Sequence, residues 1–340
     1  MPTAADLGFF DADACRIGRP VMRDPALEAE LDAKGYVVVP FLSPDEVAEL
    51  VDGYDRIGAE VGGRNPPGAY NDTYAEFSIM HSKPEFRRGA YELMDRVLTP
   101  VADRHLVDYR PLIANFVNKP PGTGVVPVHQ NFSVVDERSY RSVSVWVALV
   151  DCVSDNGAMS MLDGSQSALR GRRGMWAYQA WTELEQDLVE ECLTPVEVPA
   201  GHAVILDDAL LHYSPPNITD SRRLAIQFVM LPAEVPPLWF RQVGESAAGL
   251  DIAVLEIDEG YFFDFWHGDG DDTHARPVEQ VTVAAPPLDR SALESLVGPL
   301  APVDRAGHTK APPRELLAAS TNATGWRRLW SRFAPARSTE

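Results

Sequence analysis

Apolar positions follow two different rhythms along this chain. In the first third they recur at helical spacing: after Ser43, the residues Val47, Leu50, Val51, Tyr54 and Ile57 fall on one face. Ser43 can cap that helix, Pro44 suits its first turn, and Glu46 completes a capping box. Just before it, Tyr36-Val-Val-Val-Pro40 reads as a short strand, and residues 84–107 read as one or two helices. From Arg110 onward the rhythm becomes that of strands, expected at 110–118, 142–151, 158–162, 193–198, 202–207 and 222–231 between Gly, Pro, Asn and Asp turn signals. The clearest is Ser142-Val-Ser-Val-Trp-Val-Ala-Leu-Val150. Its Val143, Val145, Val147 and Leu149 share one face, and Ser142, Ser144, Trp146 and Ala148 the other, which predicts a strand between two unlike environments. Residues 178–190 read as a helical insertion, and 61–80, rich in Gly, Pro and Asn, as a long loop. Beyond about residue 268 the pattern fades, apart from a short helix expected at 290–297. Short strands after an α-rich start predict an all-β barrel or sandwich flanked by helices.

Composition narrows the class of function. With 340 residues, 45% hydrophobic and 24% charged, the chain has the balance of a globular protein with a sizeable core. A formal charge of −20 argues against nucleic acid and against an anionic membrane surface as partners. Cys15, Cys152 and Cys192 form no CxxC pair, which suits a reducing compartment. No signal-peptide pattern and no apolar run long enough to span a bilayer is visible, so a cytoplasmic location is expected.

Two constellations carry chemistry. In His129-Gln130-Asn131, a strand would turn His129 and Asn131 toward one cavity. In His212-Tyr-Ser214, the segment PPNITDS leads to Arg222-Arg223, and a hairpin there would set His212 opposite Arg223, with Ser214 on the same face. Together with NKPPGTG before the first motif, HQNFSVVDE at 129–137, SVSVWVALVD at 142–151, DNGAMSMLDGS at 155–165 and HYSPPNITDSRRLAI at 212–226, these residues resemble the phytanoyl-CoA dioxygenase family of iron(II)- and 2-oxoglutarate-dependent oxygenases, over roughly residues 30–235.

The resemblance implies a mainly β fold with flanking helices around a double-stranded β-helix (jelly-roll, cupin-like) core. It implies an extension at 1–30, an oxygenase domain at 31–240 and a partly irregular extension at 241–340. It implies Fe(II), 2-oxoglutarate and O2 as cofactor and co-substrates. His129 and His212 would be iron ligands, with Arg223 and Ser214 on the distal carboxylate of 2-oxoglutarate and Gln130, Trp146 and Asn115 lining the same pocket. The family pattern has Asp where this chain has Asn131, a neutral and weaker donor. Three readings stay open. Asn131 coordinates; or its position is left vacant, as in related halogenases with a small residue there; or the site is inactive and the chain is a non-catalytic small-molecule-binding barrel. Retained iron chemistry, most simply hydroxylation of a C–H bond in a small organic substrate, is the expectation. Residues 61–80 and 166–190 are the expected substrate walls.

Other features have plainer readings. His81, His105, His202 and His308 are expected to be structural, Arg222 to be a surface residue, and Asp136-Glu137 to stabilise a turn. His267-Gly268-Asp269 matches the metal-binding pattern better than the first motif but sits in a Gly/Asp-rich run, which reads as a solvated loop. Trp326, Trp330 and Phe333 stand at helical spacing among Arg residues, and packing on the acidic body is expected of them.

Overall fold

A computed structural model describes residues 3–62, 75–174, 180–265 and 272–303. Two sheets face each other. One has six strands in the order β1 (Tyr36–Pro40), β8 (His202–Asp207), β5 (Val143–Ala148), β10 (Arg223–Pro232), β3 (Tyr109–Lys119) and β2 (Glu76–Phe77). The other has four, in the order β4 (Val126–His129), β9 (His212–Ser214), β6 (Met159–Met161) and β7 (Thr194–Val196). All pairings are antiparallel, and the two sheets form the jelly-roll core.

Helices α1 (Pro25–Lys34), α2 (Pro44–Glu60) and α3 (Pro84–His105) belong to the layer outside the six-stranded sheet. The capping box forms at the start of α2, where Ser43 Oγ accepts from the Glu46 amide at 3.3 Å and Glu46 accepts from the Ser43 amide at 2.7 Å. Leu50, Tyr54 and Ile57 of α2 pack with Phe86, Leu93 and Leu98 of α3 and with Phe116, Ile226 and Phe228 of the sheet. Each such side chain contributes roughly 1.5–3 kcal/mol by leaving water. Residues 84–105 form one helix, with Pro100 inside it.

The alternation in β5 does what two unlike environments require. Val143, Val145, Val147 and Leu149 belong to the helix-side core, whereas Trp146 and Ala148 join the interior cluster between the sheets. The cross-strand partners Asn115, Gln227, Trp146 and Val204 then form a row on that inner face, with Ser144 two residues from Trp146 and the pair Lys119–Arg223 further along.

Three features depart from expectation. First, β9 and β10 do not form a hairpin: β9 pairs with β4 and β6, and β10 with β3 and β5. The segment between them crosses from one sheet to the other. Second, Leu238–Ser246 (β11), Gly249–Ile257 (β12) and Ala275–Val283 (β13) form a regular antiparallel sheet where a partly irregular extension was expected. Trp239 and Leu255 of this sheet pack in one cluster with Ile113, Val229, Val134 and Val135, so β11 carries the fold across the expected boundary at 240/241. Third, the 178–190 insertion is reduced to the short α4 (Glu185–Asp187) and a π-turn at Leu188–Cys192. Short α5 (Tyr261–Phe265) follows β12, and α6 (Arg290–Val297) forms where a helix was expected. Leu293 of α6 packs with Leu7, Phe9 and Trp181 in the cluster that also holds Leu211 and Tyr213 of the four-stranded sheet side. Among the described residues no helix is long and apolar enough to cross a membrane.

Candidate active site

His129 closes β4 and stands directly opposite His212, the first residue of β9. Both rings are buried, with centroids 4.1 Å apart and planes tilted by 50°. Each ring is tied the same way: His129 Nδ1 lies 2.8 Å from the Pro127 carbonyl and His212 Nδ1 2.9 Å from the Leu210 carbonyl. A carbonyl only accepts, so Nδ1 carries the proton and each neutral ring keeps its lone pair on Nε2. Burial pushes the His212 imidazole down to about 4 and drives His129 well below its usual range, with His212 as the second cause. Two neutral imidazoles, each oriented by a main-chain acceptor, fit a divalent metal.

Because the folded ring resists protonation, the sign of its linkage to stability follows. The His212 contribution is fully present above the unfolded value near 6.5 and is lost as pH falls toward about 4. In urea unfolding between pH 7 and 4, His212→Phe should therefore show a flatter loss of stability than the native chain, by up to about 1.4 kcal/mol per pH unit.

Among the described residues no group of three His, Cys, Asp or Glu side chains gathers closely enough to hold a metal. The third donor expected with the two imidazoles, Asn131, is buried. Its Nδ2 donates to Ser144 Oγ and to Asp208 Oδ1, both at 2.9 Å, and its Oδ1 accepts from Gln227 Nε2 at 3.3 Å. Asp208 was not singled out from the sequence. Its carboxylate is fully buried and faces Ser142, Ser144 and Asn131, and among the described residues no cation pairs with it. Burial pushes it up to about 7 against those hydrogen bonds. Arg173, also missed, fixes both main chains: it donates to the Asn131 carbonyl at 3.0 Å and the Asp208 carbonyl at 3.2 Å while held by Glu137 in a buried bidentate pair. Glu137 is thus an internal anchor rather than a turn residue, whereas Asp136 accepts from Arg138 in the turn.

Two residues along β9 the polarity reverses. Ser214 points with His212 to the same side of the strand, roughly 7 Å away. Arg223 reaches it from the facing sheet, NH2 lying 3.4 Å from Ser214 Oγ and 3.2 Å from the Gly157 carbonyl. The expected neighbourhood of His212, Ser214 and Arg223 therefore exists, made by two sheets rather than by one hairpin. The guanidinium is 1% exposed and sits 5.2 Å from the Trp146 ring centroid. Among the described residues its Nε and NH1 have no hydrogen-bond partner. Directly across the ladder is Lys119, fully buried, whose ammonium donates to Ser214 Oγ at 2.6 Å and to the Ser214 carbonyl at 3.1 Å. Burial and the adjacent Arg223 drive Lys119 well below the usual lysine range. The Cys152 thiol acts on both cations but is itself pushed up to about 11 by burial, so it supplies no counter-charge. A buried guanidinium with two idle nitrogens, and among the described residues no acid paired with it, fits a carboxylate.

Gly157 makes this corner possible. It has φ +90°, and a Cβ there would lie 2.6 Å from the Pro215 carbonyl oxygen and 2.9 Å from Lys119 Nζ. Gly157→Ala should lose about 1–3 kcal/mol in urea unfolding and weaken binding of any carboxylate at Arg223.

The remaining expected site residues divide. Trp146 lies under the Arg223 guanidinium, its ring centroid 5.2 Å away. Asn115 lies on the inward row, but its Oδ1 accepts from Ser78 Oγ and the Ile79 amide, anchoring that turn to the sheet. Gln130, expected to line the same pocket, donates its amide protons to the Leu169 and Ala209 carbonyls at 2.8 and 2.6 Å. Arg222 pairs with Asp55 at the surface as expected. His81 and His105 stack on Phe86 and Phe41. His267, His308, Trp326, Trp330 and Phe333, with most of the expected 61–80 wall, lie outside the described residues.

Comparison with known proteins places the chain. A curated relative, phytanoyl-CoA dioxygenase domain-containing protein 1 of Danio rerio, is 27% identical over 127 residues, which are 35% of this chain and 44% of that protein. Solved structures with similar folds include the non-haem α-ketoglutarate-dependent carbocyclase SnoK from nogalamycin biosynthesis (19% identity, 65% of this chain and 90% of that one, TM-score 0.47). HygX from Streptomyces hygroscopicus, solved with nickel and 2-oxoglutarate, is 20% identical over 62% of this chain and 88% of its own, with a TM-score of 0.45. The phytanoyl-CoA dioxygenase family model matches residues 31–225, more than half of the chain. The chain therefore belongs to the phytanoyl-CoA dioxygenase family.

Proposed function

We propose that this protein hydroxylates a C–H bond of a small organic substrate, using Fe(II) held by His129, His212 and Asn131, and 2-oxoglutarate held at its far end by Arg223. The observation that carries the reading is a change of polarity along β9. The neutral imidazoles of His129 and His212 lie at its start, and two residues along, at Ser214, lies the buried Arg223 guanidinium with two idle nitrogens among the described residues. That is the charge pattern a divalent metal and a short dicarboxylate would fill together.

When bound, the metal and co-substrate would supply the oxidising chemistry: O2 is consumed, 2-oxoglutarate leaves as succinate and carbon dioxide, and one oxygen atom enters the substrate. The chain's own part is positional. Pro127 and Leu210 hold the imidazoles by their Nδ1 protons, Arg223 and Ser214 fix the distal carboxylate, and Trp146 shields the guanidinium from water.

A second reading rests on Asn131, whose neutral amide stands where the family pattern has a carboxylate: the barrel would bind a small molecule without turnover. O2-dependent formation of succinate from 2-oxoglutarate by the iron-loaded protein separates the two. Turnover above that of His212→Ala supports the oxygenase. Binding of 2-oxoglutarate with no succinate at any iron concentration favours the binding barrel.

A further inference from the structure

We infer that Asp208 is a positioning residue for the metal site, carrying one hydrogen bond further out the negative charge that Asn131 lacks and fixing the Asn131 amide so that its oxygen is the donor. The inference rests on the preceding reading only in requiring a divalent cation at the histidine pair.

The hydrogen bonds leave one orientation. Ser144 Oγ donates to Asp208 Oδ1 at 2.7 Å, so the serine proton is spent and its oxygen accepts. Asn131 Nδ2 then gives one proton to Ser144 and the other to Asp208. Turning the amide over would set its oxygen against a carboxylate and against a hydroxyl with no proton left to give. The Asn131 oxygen is thereby held on the side of the inward row, where its partner is the long 3.3 Å contact from Gln227.

The charge argument is independent of the orientation. Asp208 is fully buried, and the arginine beside it, Arg173, donates to its main-chain carbonyl while its guanidinium is neutralised by Glu137. A buried carboxylate without a cation is costly, and its hydrogen-bonded neighbour Asn131 is the residue proposed to join the imidazole pair in holding one. An amide that donates to a carboxylate is more polarised, and its oxygen is a better ligand for a hard cation than that of a free amide. Arg173 holds the Asn131 and Asp208 main chains together, so the two side chains meet in a fixed register despite lying 77 positions apart. Asn131 and Asp208 thus divide between them the work of one aspartate, ligation on one and charge on the other.

The test is the affinity for Mn(II), a redox-stable substitute for Fe(II), measured by calorimetric titration of the native chain, Asp208→Asn and the exchanged pair Asn131→Asp/Asp208→Asn, with thermal unfolding of each metal-free protein alongside. Asp208→Asn should bind about 10–100-fold more weakly, the range typical of residues that orient ligands. The exchanged pair returns a carboxylate to position 131 and keeps a hydrogen bond to position 208, so it should recover at least the native affinity. A folded Asp208→Asn that binds as tightly as the native chain overturns the inference, as does an exchanged pair no tighter than the single variant. If the single variant does not fold, the exchanged pair against the native chain decides in the same way. Succinate formation is not part of this readout, so an inactive protein that shows the affinity pattern would sink the oxygenase reading and leave Asp208 in its role.

Discussion

Replacing Arg223 by Ala should raise the KM for 2-oxoglutarate by at least about 30-fold while leaving Mn(II) affinity near that of the native chain. The side chain is 1% exposed, two of its nitrogens have no partner among the described residues, and it is bracketed by Trp146, Ser214 and Lys119. Removing one member of a buried, hydrogen-bonded charge pair costs about 2–5 kcal/mol, and the lower figure sets the 30-fold bound. Without a bound anion the same substitution should have the opposite effect on the fold. It removes a buried charge beside the Lys119 ammonium, so the apoprotein should be no less stable than the native chain, and the gap between them should close when 2-oxoglutarate is added. Arg223→Lys should recover only part of the affinity, since an ammonium cannot present two parallel donors to a carboxylate. Steady-state kinetics at varied 2-oxoglutarate, with thermal unfolding in its presence and absence, checks both halves.

The second large effect is at the metal. His212→Ala should abolish succinate formation and weaken Mn(II) binding by more than the 10–100-fold expected for residues that only orient ligands, because it deletes a donor. The fold should survive, since the ring's hydrogen bond to Leu210 is local, two residues away, and β9 stays paired to β4 and β6 through its main chain. Metal affinity by calorimetry, paired with unfolding of the metal-free variant, separates a lost ligand from a lost fold.

Where local chemistry decides structure, the sequence was informative. The Ser43–Glu46 box and the two faces of 143–149 were legible because each is settled by neighbours a few positions apart. The partner of β9 was not: three residues, all buried, carry no alternation to read, and whether the chain turns back or crosses to the facing sheet depends on the whole topology. The sheet of β11, β12 and β13 escaped notice because its strands are largely half-exposed, with β13 mostly at the surface, which blurs the apolar rhythm.

The site divides along the same line. His129, His212, Ser214 and Arg223 stand out by type and order; His129 stands opposite His212 in the ladder, and Arg223 reaches Ser214 from the other sheet. Lys119, one of only four lysines, lay inside the NKPPG run without being singled out, although a strand register of two residues from Val117 turns it to the same face as Arg223. Asp208 and Arg173 meet Asn131 across 77 and 42 positions, so nothing near the first motif pointed to either. Gln130 ties the Leu169 and Ala209 carbonyls together, contacts 39 and 79 positions away that its own neighbours could not announce.

The most direct measurement is the visible charge-transfer band formed on anaerobic addition of Fe(II) and 2-oxoglutarate, recorded for the native chain, His212→Ala and Asn131→Asp. A single cavity that holds both ends of the chelate predicts a band in the native chain, none in His212→Ala, and titration of the native band with 2-oxoglutarate that fails in Arg223→Ala at the same concentrations. No band in the native chain, with one appearing in Asn131→Asp, would contradict the account: the amide would then be a ligand lost, and the barrel a binder rather than an oxygenase.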